Sequence, residues 1–310
     1  MAETPSTASA EPRAAAGVHA ARDLFDASHL ITEEVLKRYE STPDPRLREI
    51  MLALVRHIHA FATEVRLTAD EWFFAMQFLE QTGQLCRDGR NEFMIFSDAL
   101  GLSMLTVTQE YPRPAHATEP TLVGPFLLEE APHFPMGADI SAGAVGRPMH
   151  AQGRILDIEG RPIAGAVIDV WHSDDRGLYD MQDDIAKNGP WARAVLTTGA
   201  DGRYSFWSVV PVDYPIPQDG TAIRMLRATT GRSWRPAHLH FRIRAAGQRT
   251  LVTHLFDRTS KNLDGDAVFG VRPSLIVDFA PQPPGAARDG RVMDRDYATL
   301  DYDFVMSPAA

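Results

Sequence analysis

The sequence is short of three features, each of which would indicate a class of protein. It has one cysteine, Cys86, so no disulfide can form within the chain, and a reducing compartment follows naturally. It has no apolar run long enough for a membrane-spanning helix. Its 31 basic residues are scattered and outnumbered by 41 acidic ones, for a net charge of −10, whereas nucleic-acid binding needs a basic patch. We therefore expect a soluble, cytoplasmic protein whose partner is a small molecule, with no nucleic acid and no membrane.

The N-terminal part of the chain is predicted to be helical. Residues 1–20 are rich in Ala, Ser, Thr, Pro and Glu, which is typical of a disordered tail and lacks the apolar core of a signal peptide. Apolar residues then recur at helical spacing as far as Tyr111. Thr68 and Glu71 have the spacing of a capping box, and the helix that begins there is expected to end near Cys86. The Cys86 thiol is expected to act as a small hydrophobe. The predicted helices are 28–39, 44–65, 68–86 and 90–105.

These helices carry more apolar surface than one thin layer can bury internally. We expect part of it, including the face around Leu54 and Ile58, to dock on a second domain or on another subunit. A plain helical bundle with no interface is the alternative.

After Tyr111 the sequence changes to short β-prone runs separated by Gly, Pro and Asp. Strands at this spacing without intervening helices are typical of an antiparallel β-sandwich. We therefore predict an α+β fold, in which a helical domain (21–113) is followed by an antiparallel β-sandwich domain (114–310). The predicted strands are 151–158, 166–173, 194–198, 204–210, 238–244 and 251–256.

The candidate site lies in the run Trp234–Ile243, where polar and apolar residues alternate. In a strand, His238 and His240 share one face and the intervening apolar residues face the other way. Two imidazoles on one rigid strand need little reorganisation to bind a metal, although a His-x-His pair also arises by chance. No Cys-x-x-Cys is present, so the other ligands would supply oxygen or nitrogen. Spacing alone does not choose among three candidate tyrosines: Tyr179, Tyr204 and Tyr214.

Four motifs together resemble the intradiol ring-cleavage dioxygenases of aromatic degradation. The resemblance covers nearly the whole chain, and it implies a helical dimerisation unit ahead of a β-sandwich catalytic iron domain. It also favours Tyr204 as a structural strand residue. The motifs are Trp171-His172 through Gly177 to Tyr179, Asp201-Gly202-Arg203-Tyr204, Val210-Pro211 with Tyr214, and Arg235-Pro236-Ala237-His238-Leu239-His240-Phe241.

The resemblance implies one non-haem Fe(III) per chain, held by Tyr179, Tyr214, His238 and His240. Phenolate oxygen is a hard anionic donor that favours Fe(III), and two phenolates with a hydroxide balance its charge. In the family's mechanism the diol binds the iron through both oxygens and displaces the axial tyrosinate, which by position is Tyr214 and which can then accept a substrate proton. Arg235 is placed to stabilise the negative charge that develops on the substrate, and its alternative role is a surface ion pair.

The resemblance also implies the partners: an aromatic diol or triol, O2, a second copy of the chain bound through the helical domain, and a phospholipid where the helical units meet. Within the family, four further segments are most similar to enzymes that cleave hydroxyquinol (1,2,4-trihydroxybenzene), with catechol or chlorocatechol cleavage as the alternative. These segments are Leu122–Phe126, Tyr214–Gly220, Thr253-His254 and Leu263–Val271. Leu122-Val123 and Val212-Asp213 depart from the usual pattern, which affects the pocket and not the iron site. The pocket residues implied are Ile95, Asp98, Val123, Gly124, Pro125, Phe126, Ile216, Pro217, Arg235, His254 and Val268.

Asp98 is the only carboxylate in that set, so we expect it to accept a hydrogen bond from the third hydroxyl of hydroxyquinol. Its alternative role is a helix-surface or capping acid. Two other classes of function fit a histidine-bearing β-sandwich: a divalent-metal hydrolase and a non-catalytic, transthyretin-like binding module. Colour separates them, because tyrosinate bound to Fe(III) absorbs visible light and a zinc site or a metal-free module does not.

Overall fold

The structure is a computed structural model that describes residues 28–87, 90–111, 113–182 and 189–309. The predicted tail at 1–20 and the Asp88-Gly89 pair that precedes the predicted helix 90–105 lie outside these residues. Within the described ranges, no helix combines the length and the apolar character needed to cross a membrane. Contacts between Cα atoms divide the chain into two compact units, Met1–Ala75 and Met76–Ala310. The domain boundary expected between residues 113 and 114 stays a prediction.

Within its described residues, the first unit contains two complete helices, as the apolar periodicity predicts. They are α1 (Ser28–Tyr39) and α2 (Pro45–Glu64). The Asp44 side chain caps α2 by accepting a hydrogen bond from the Leu47 N–H at 2.7 Å, and Pro45 occupies the first helical turn. Between the two helices, Thr32 Oγ1 lies 2.8 Å from His59 Nδ1.

The next helices are α3 (Ala69–Gln84), α4 (Glu92–Ala99) and α5 (Leu102–Glu110). The predicted capping box begins α3, since the Thr68 N–H donates to Glu71 Oε2 at 2.9 Å and the Glu71 N–H donates to Thr68 Oγ1 at 3.3 Å. The prediction of one helix over 90–105 is wrong, because the chain breaks between α4 and α5. Gly101 sits there with φ 72°, a left-handed conformation that ends a helix and that glycine adopts without strain.

The rest of the second unit is built on two five-stranded sheets. In the first, the order is β10-β13-β1-β14, and β4 pairs with the other edge of β1. In the second, the order is β3-β2-β7-β8-β9. The strands are β1 (Pro148–Leu156), β2 (Val167–His172), β3 (Arg193–Thr197), β4 (Arg203–Val209), β5 (Tyr214–Pro215), β6 (Trp234–Arg235), β7 (His238–Arg244), β8 (Leu251–Asp257), β9 (Ile276–Val277), β10 (Ala280–Gln282), β11 (Gly285–Ala286), β12 (Val292–Met293), β13 (Tyr297–Asp301) and β14 (Phe304–Val305).

The pairing refines the predicted sandwich in one respect. The fold class is as expected, but the sheets are mixed: β1 runs parallel to β13 and β14, and β8 runs parallel to β9. All six predicted strands are present with small shifts at their ends. The short strands after β8 were not predicted, because runs of two to five residues carry little periodicity.

The two sheets share one apolar core. The ring of Phe241, on β7, lies 6.3 Å from the Tyr204 ring and 6.5 Å from the Phe206 ring, both on β4 of the other sheet. Phe304, on β14, closes the same cluster with its ring 4.8 Å from that of Phe241. Because this face of β7 is buried between the sheets, its opposite face is the one that can carry a site.

Among the described residues, one α-helix lies within the β half, which corrects the expectation of strands without intervening helices. This helix, α6 (Thr221–Ala228), starts after Gly220. The buried side chain of Glu92 accepts a hydrogen bond from the Ala222 N–H at 3.1 Å and so satisfies a free donor of its first turn. A carboxylate 130 residues away in sequence stabilises this helix, and a local pattern cannot show that.

Candidate metal centre

Strand β7 presents its two histidines on the face opposite the core. The apolar residues that alternate with them are fully buried between the sheets, so His238 and His240 project the other way. Neighbouring strands are in register with His240: Trp171 pairs with it from β2 and His254 from β8. The Trp171 ring stacks on the His240 ring at a centroid distance of 4.7 Å, which fixes the plane of that imidazole.

Four side chains converge above this face. Tyr179 Oη lies 3.0 Å from Tyr214 Oη, 3.0 Å from His240 Nε2 and 3.3 Å from His238 Nε2. The two imidazole Nε2 atoms are 3.1 Å apart, and Tyr214 Oη is 3.4 Å from His238 Nε2. Donors about 2.1 Å from one ion are separated by roughly 3.0 Å at right angles and roughly 3.4 Å at tetrahedral angles, so the spacing suits a single cation.

The protonation of these groups also fits a metal site. Burial raises the pKa of Tyr179 and of Tyr214, so both phenols keep their protons at neutral pH unless a cation stabilises the phenolate. Burial lowers the pKa of His238 and His240, which keeps both imidazoles neutral and able to donate a lone pair. Two neutral nitrogens and two oxygens that a cation would ionise form a donor set suited to Fe(III), without any thiolate.

Hydrogen bonds outside the cluster orient the imidazoles. The Nδ1–H of His238 donates to the Pro236 carbonyl at 2.6 Å, which turns Nε2 towards the other donors. His254, expected to bind substrate, lies beside the proposed ligands: the nearest ring nitrogens of His238, His240 and His254 all lie within 4.8 Å of one another. Thr121 Oγ1 bonds to His254 Nδ1, and the buried His254 Nε2 has no hydrogen-bond partner in the described part of the chain.

Both tyrosines come from segments that follow strands and are tightly packed. The Phe126 ring stacks on the Tyr179 ring at 4.3 Å. Tyr214, at the start of β5, pairs with Arg235 of β6. Gly177 passes so close to Tyr214 that a Cβ atom added to this glycine would lie 2.9 Å from Tyr214 Cβ. The backbone that carries Tyr214 is therefore held from two sides.

Tyr204 has a different position. It is 1% exposed in the core between the sheets, and its hydroxyl donates to the Tyr302 carbonyl at 2.9 Å. That hydroxyl is already satisfied and points away from the histidines of β7. The structure therefore separates the three tyrosines that spacing alone could not, and it gives Tyr204 the structural role that the family motifs implied.

Arg235 is buried and faces the cluster. Only 4% exposed, it lies with Nη1 3.1 Å from His238 Nε2 and 3.5 Å from Tyr214 Oη. Its Nε donates to Asp266 Oδ1 at 3.2 Å. Burial is the largest single influence and would lower the pKa of Arg235, but the charge of Asp266 and the oxygens of Tyr214 and Tyr179 together outweigh it, so the net shift is upward. The alternative of a surface ion pair is therefore wrong.

A cleft of about 690 Å³ opens beside the cluster. One of its lining residues, Gly124, lies against a proposed ligand, because a Cβ added to Gly124 would lie 3.2 Å from His240 Cε1. Cys86 also lines it and is half-buried, with its thiol 3.5 Å from the Thr82 carbonyl. Cys86 therefore lies at a cavity wall as well as beside apolar neighbours. The predicted pocket residues that line the cleft are Ile95, Asp98, Gly124 and Pro125.

Asp98 contributes a buried carboxylate to the lining of this cleft. It is 5% exposed, and its Oδ1 has no hydrogen-bond partner in the described part of the chain. Burial raises the pKa of Asp98, while Ser103 and Arg235 oppose that shift. A buried acceptor without a donor costs free energy, which a hydroxyl of a bound molecule could recover. Its burial excludes the alternative of a helix-surface acid, whereas the alternative of a capping acid stays a prediction.

The remaining predicted pocket residues fall into two apolar groups. Ile95, Ile216 and Val268 belong to one buried cluster. Val123 and Phe126 pack against the cluster that contains both candidate ligand tyrosines. Pro217 is half-buried next to Ile216.

Three residues make contacts at the site that had no local signal in the sequence. Asp266 anchors Arg235, and Thr121 bonds to His254. Asp213, which stood out only as an atypical neighbour of Tyr214, accepts hydrogen bonds from the Ala237 N–H at 2.8 Å and the Asn262 side chain at 2.6 Å. Each joins segments at least 24 residues apart, so only the folded chain reveals it.

Comparison with known proteins gives the family. A family model described as "Dioxygenase" matches residues 124–308, and one described as "Catechol dioxygenase N terminus" matches residues 44–118. A 6-chlorohydroxyquinol 1,2-dioxygenase from Cupriavidus pinatubonensis is 49% identical over 90% of this chain and 97% of the relative. A hydroxyquinol 1,2-dioxygenase from Rhodococcus opacus is 46% identical over 92% of this chain and 96% of the relative. The crystal structure of hydroxyquinol 1,2-dioxygenase from Pseudomonas putida DLL-E4 matches with a TM-score of 0.83 and 42% identity, covering 91% of this chain and 99% of that one. The chain therefore belongs to the intradiol ring-cleavage dioxygenase family.

Proposed function

We propose that this protein cleaves hydroxyquinol between its two adjacent hydroxyl-bearing carbons, with O2 as co-substrate. The product is 3-hydroxy-cis,cis-muconate, a tautomer of maleylacetate. The observation that carries the choice of substrate is the buried carboxylate of Asp98, which has a free acceptor oxygen in the cleft beside the metal centre. The names of five relatives, at 42 to 49% identity, support the same substrate class.

We also propose one Fe(III) per chain, held by Tyr179, Tyr214, His238 and His240. The family is iron-dependent in general, and the spacing and chemistry of these four donors fit that ion. Bound Fe(III) would draw electron density from a coordinated diol and so prepare its ring for reaction with O2.

The protein groups around the diol then manage its protons and charge. Tyr214 is the residue that would release the metal to make room for the diol. Its phenolate would then be a strong base in this buried site, because burial disfavours its charge, and it would accept a proton from a diol hydroxyl. Arg235 Nη1, 3.5 Å from Tyr214 Oη, is placed to donate to that oxygen and to hold negative charge on the ring oxygens.

Asp98 distinguishes a triol from a diol. The third hydroxyl of hydroxyquinol would donate to Asp98 Oδ1, whereas catechol would leave this buried acceptor unpaired. An unpaired buried acceptor costs about 1–3 kcal/mol, which corresponds to roughly a ten- to hundredfold preference for hydroxyquinol in kcat/KM.

The test compares kcat/KM for hydroxyquinol and catechol in the parent protein and in Asp98→Ala, with the exposed Asp264→Asn as a control for carboxylate loss. We expect Asp98→Ala to lower activity on hydroxyquinol and to leave catechol turnover less affected, and Asp264→Asn to change neither. Equal proportional losses on both diols would show that Asp98 supports the fold instead of reading the substrate. A parent protein that prefers catechol would overturn the substrate assignment.

The assembly of the protein belongs to the same proposal. One face of α2 leaves a row of apolar side chains exposed, which is typical of an interaction surface. We propose that the protein forms a homodimer through this face, with a phospholipid at the interface. We also propose that the helical domain ends near residue 113 and that the enzyme works in the cytoplasm. The exposed residues of this face are Leu47, Ile50, Leu54, Ile58, Phe61 and Val65.

A further inference from the structure

The guanidinium of Arg235 is held at one end only. Its Nε donates to Asp266 Oδ1, while Nη1 faces Tyr214 and His238 and the buried Nη2 has no partner in the described part of the chain. An arginine side chain has several rotatable bonds, but its guanidinium is planar, so fixing Nε fixes the direction of both Nη atoms. The orientation of the Arg235 guanidinium towards the metal centre therefore depends on this single ion pair.

Asp266 also holds the wall of the pocket. Its side chain is 2% exposed, and besides Arg235 it accepts hydrogen bonds from the Val268 N–H at 3.4 Å and the Gly270 N–H at 2.9 Å. Gly270 fits closely against the pair, since an added Cβ would lie 3.1 Å from Asp266 Oδ2 and 3.4 Å from Arg235 Nη2. Val268 packs in the same buried cluster as Ile95. One carboxylate thus organises both the loop that carries Val268 and the side chain that faces Tyr214.

We infer that Asp266 is a positioning residue of the reaction, which acts by holding the guanidinium of Arg235 beside Tyr214. The same carboxylate fixes this guanidinium relative to the pocket wall at Val268. This inference rests on the proposed function, because it needs Arg235 to act in ring cleavage. Asp266 itself stays behind Arg235 and touches neither the diol nor the metal ligands. Its effect on kcat should therefore depend on Arg235, whereas an effect through the loop that carries Val268 should appear in KM whether or not Arg235 is present.

A purely structural role predicts something different. Removing one partner of a buried ion pair destabilises a fold by leaving a charge unpaired, whatever the other partner does in catalysis. A structural Asp266 would therefore lower the activity of every variant to a similar degree. A double-mutant cycle separates the two roles, because it measures whether the effect of one residue requires the other.

The experiment uses the iron-loaded full-length chain with four substitutions: Asp266→Asn, Arg235→Met, both together, and Asp264→Asn as an exposed control two residues away. We expect Asp266→Asn to lower kcat on hydroxyquinol by about 10- to 100-fold with a smaller change in KM, because a preorganised donor loses its aim. In the Arg235→Met background the same substitution should change kcat by less than about twofold. Asp264→Asn should behave like the parent.

Two further readouts do not depend on turnover. The visible tyrosinate-to-iron absorption band should shift in the same direction in Asp266→Asn and in Arg235→Met, since both remove the guanidinium from the Tyr214 oxygen, and it should not shift in Asp264→Asn. In thermal unfolding, the double variant should be more stable than Arg235→Met alone, because it no longer buries an unpaired carboxylate.

Equal fractional losses of kcat from Asp266→Asn in both backgrounds, or an unshifted band in a folded Asp266→Asn variant, would overturn the role of Asp266 alone. A parent protein that cleaves neither diol would instead overturn the proposed function, and this inference with it.

Discussion

Gly177 offers a sharp test of how the position of Tyr214 is set. This glycine has φ 72°, and a Cβ there would lie 2.9 Å from Tyr214 Cβ. Two carbon atoms in contact are normally 3.5–4.0 Å apart, so Gly177→Ala must move one of the two segments by roughly half an ångström or more. Gly165 is a matched control, since its φ is 70° and an added Cβ would meet nothing within 4 Å. Both substitutions carry the left-handed strain of about 1–2 kcal/mol, but only the first disturbs a proposed ligand.

We expect the two variants to separate in three measurements. Both should unfold at lower temperature than the parent, Gly177→Ala by the larger amount. Gly165→Ala should keep parental iron content, measured by elemental analysis, together with its visible band and kcat. Gly177→Ala should shift or weaken the band and lose activity by up to about 100-fold, as a misplacement approaching 1 Å can do. If the variants differ only in unfolding temperature, the contact with Gly177 does not set the position of Tyr214.

Two further predictions address the ligands and the assembly. Tyr179→Phe should lose most of the iron and colour. Tyr204→Phe should keep both, and its free energy of unfolding should fall by only about 1 kcal/mol with the lost hydrogen bond to the Tyr302 carbonyl. Equal iron retention in the two variants would remove Tyr179 from the ligand set. Leu54→Glu combined with Ile58→Glu should convert the dimer to monomer or unfold the chain. Arg56→Glu, on the other side of α2, should leave the dimer intact, as measured by light scattering. A monomeric parent would refute the proposed assembly.

Features with a strong local period could be predicted from the sequence. The alternation around His238 and His240 gave a strand whose bounds the structure reproduces. The pair Thr68 and Glu71 marked the start of α3, because a capping box is complete within four residues. The break at Gly101 was missed because apolar spacing continues across it, and an isolated glycine inside a helical pattern does not by itself end the helix.

The residues of the metal centre could not be predicted from hydrophobic periodicity alone. Tyr179 and Tyr214 are 35 residues apart and Tyr214 and His238 another 24, and loops whose course has no periodic signature connect them. By spacing, Tyr204 was an equal candidate. Only the family motifs, and then the buried position of the Tyr204 hydroxyl against the Tyr302 carbonyl, separate it from the other two. Side-chain chemistry identified the kinds of ligand, and long-range packing decides which residues supply them.

Helix α6 shows the same limit and provides a last test. Its first turn depends on Glu92, whose carboxylate lies so close to Gly220 that an added Cβ would be 2.0 Å from Glu92 Oε1. Gly220 has φ −104°, which any residue adopts, so the space and not the backbone requires glycine here. Gly220→Ala should therefore lower the unfolding temperature markedly in the parent but far less in a Glu92→Ala background, where the methyl group has room. Equal losses in the two backgrounds would mean that backbone conformation at Gly220, and not the contact with Glu92, limits this position.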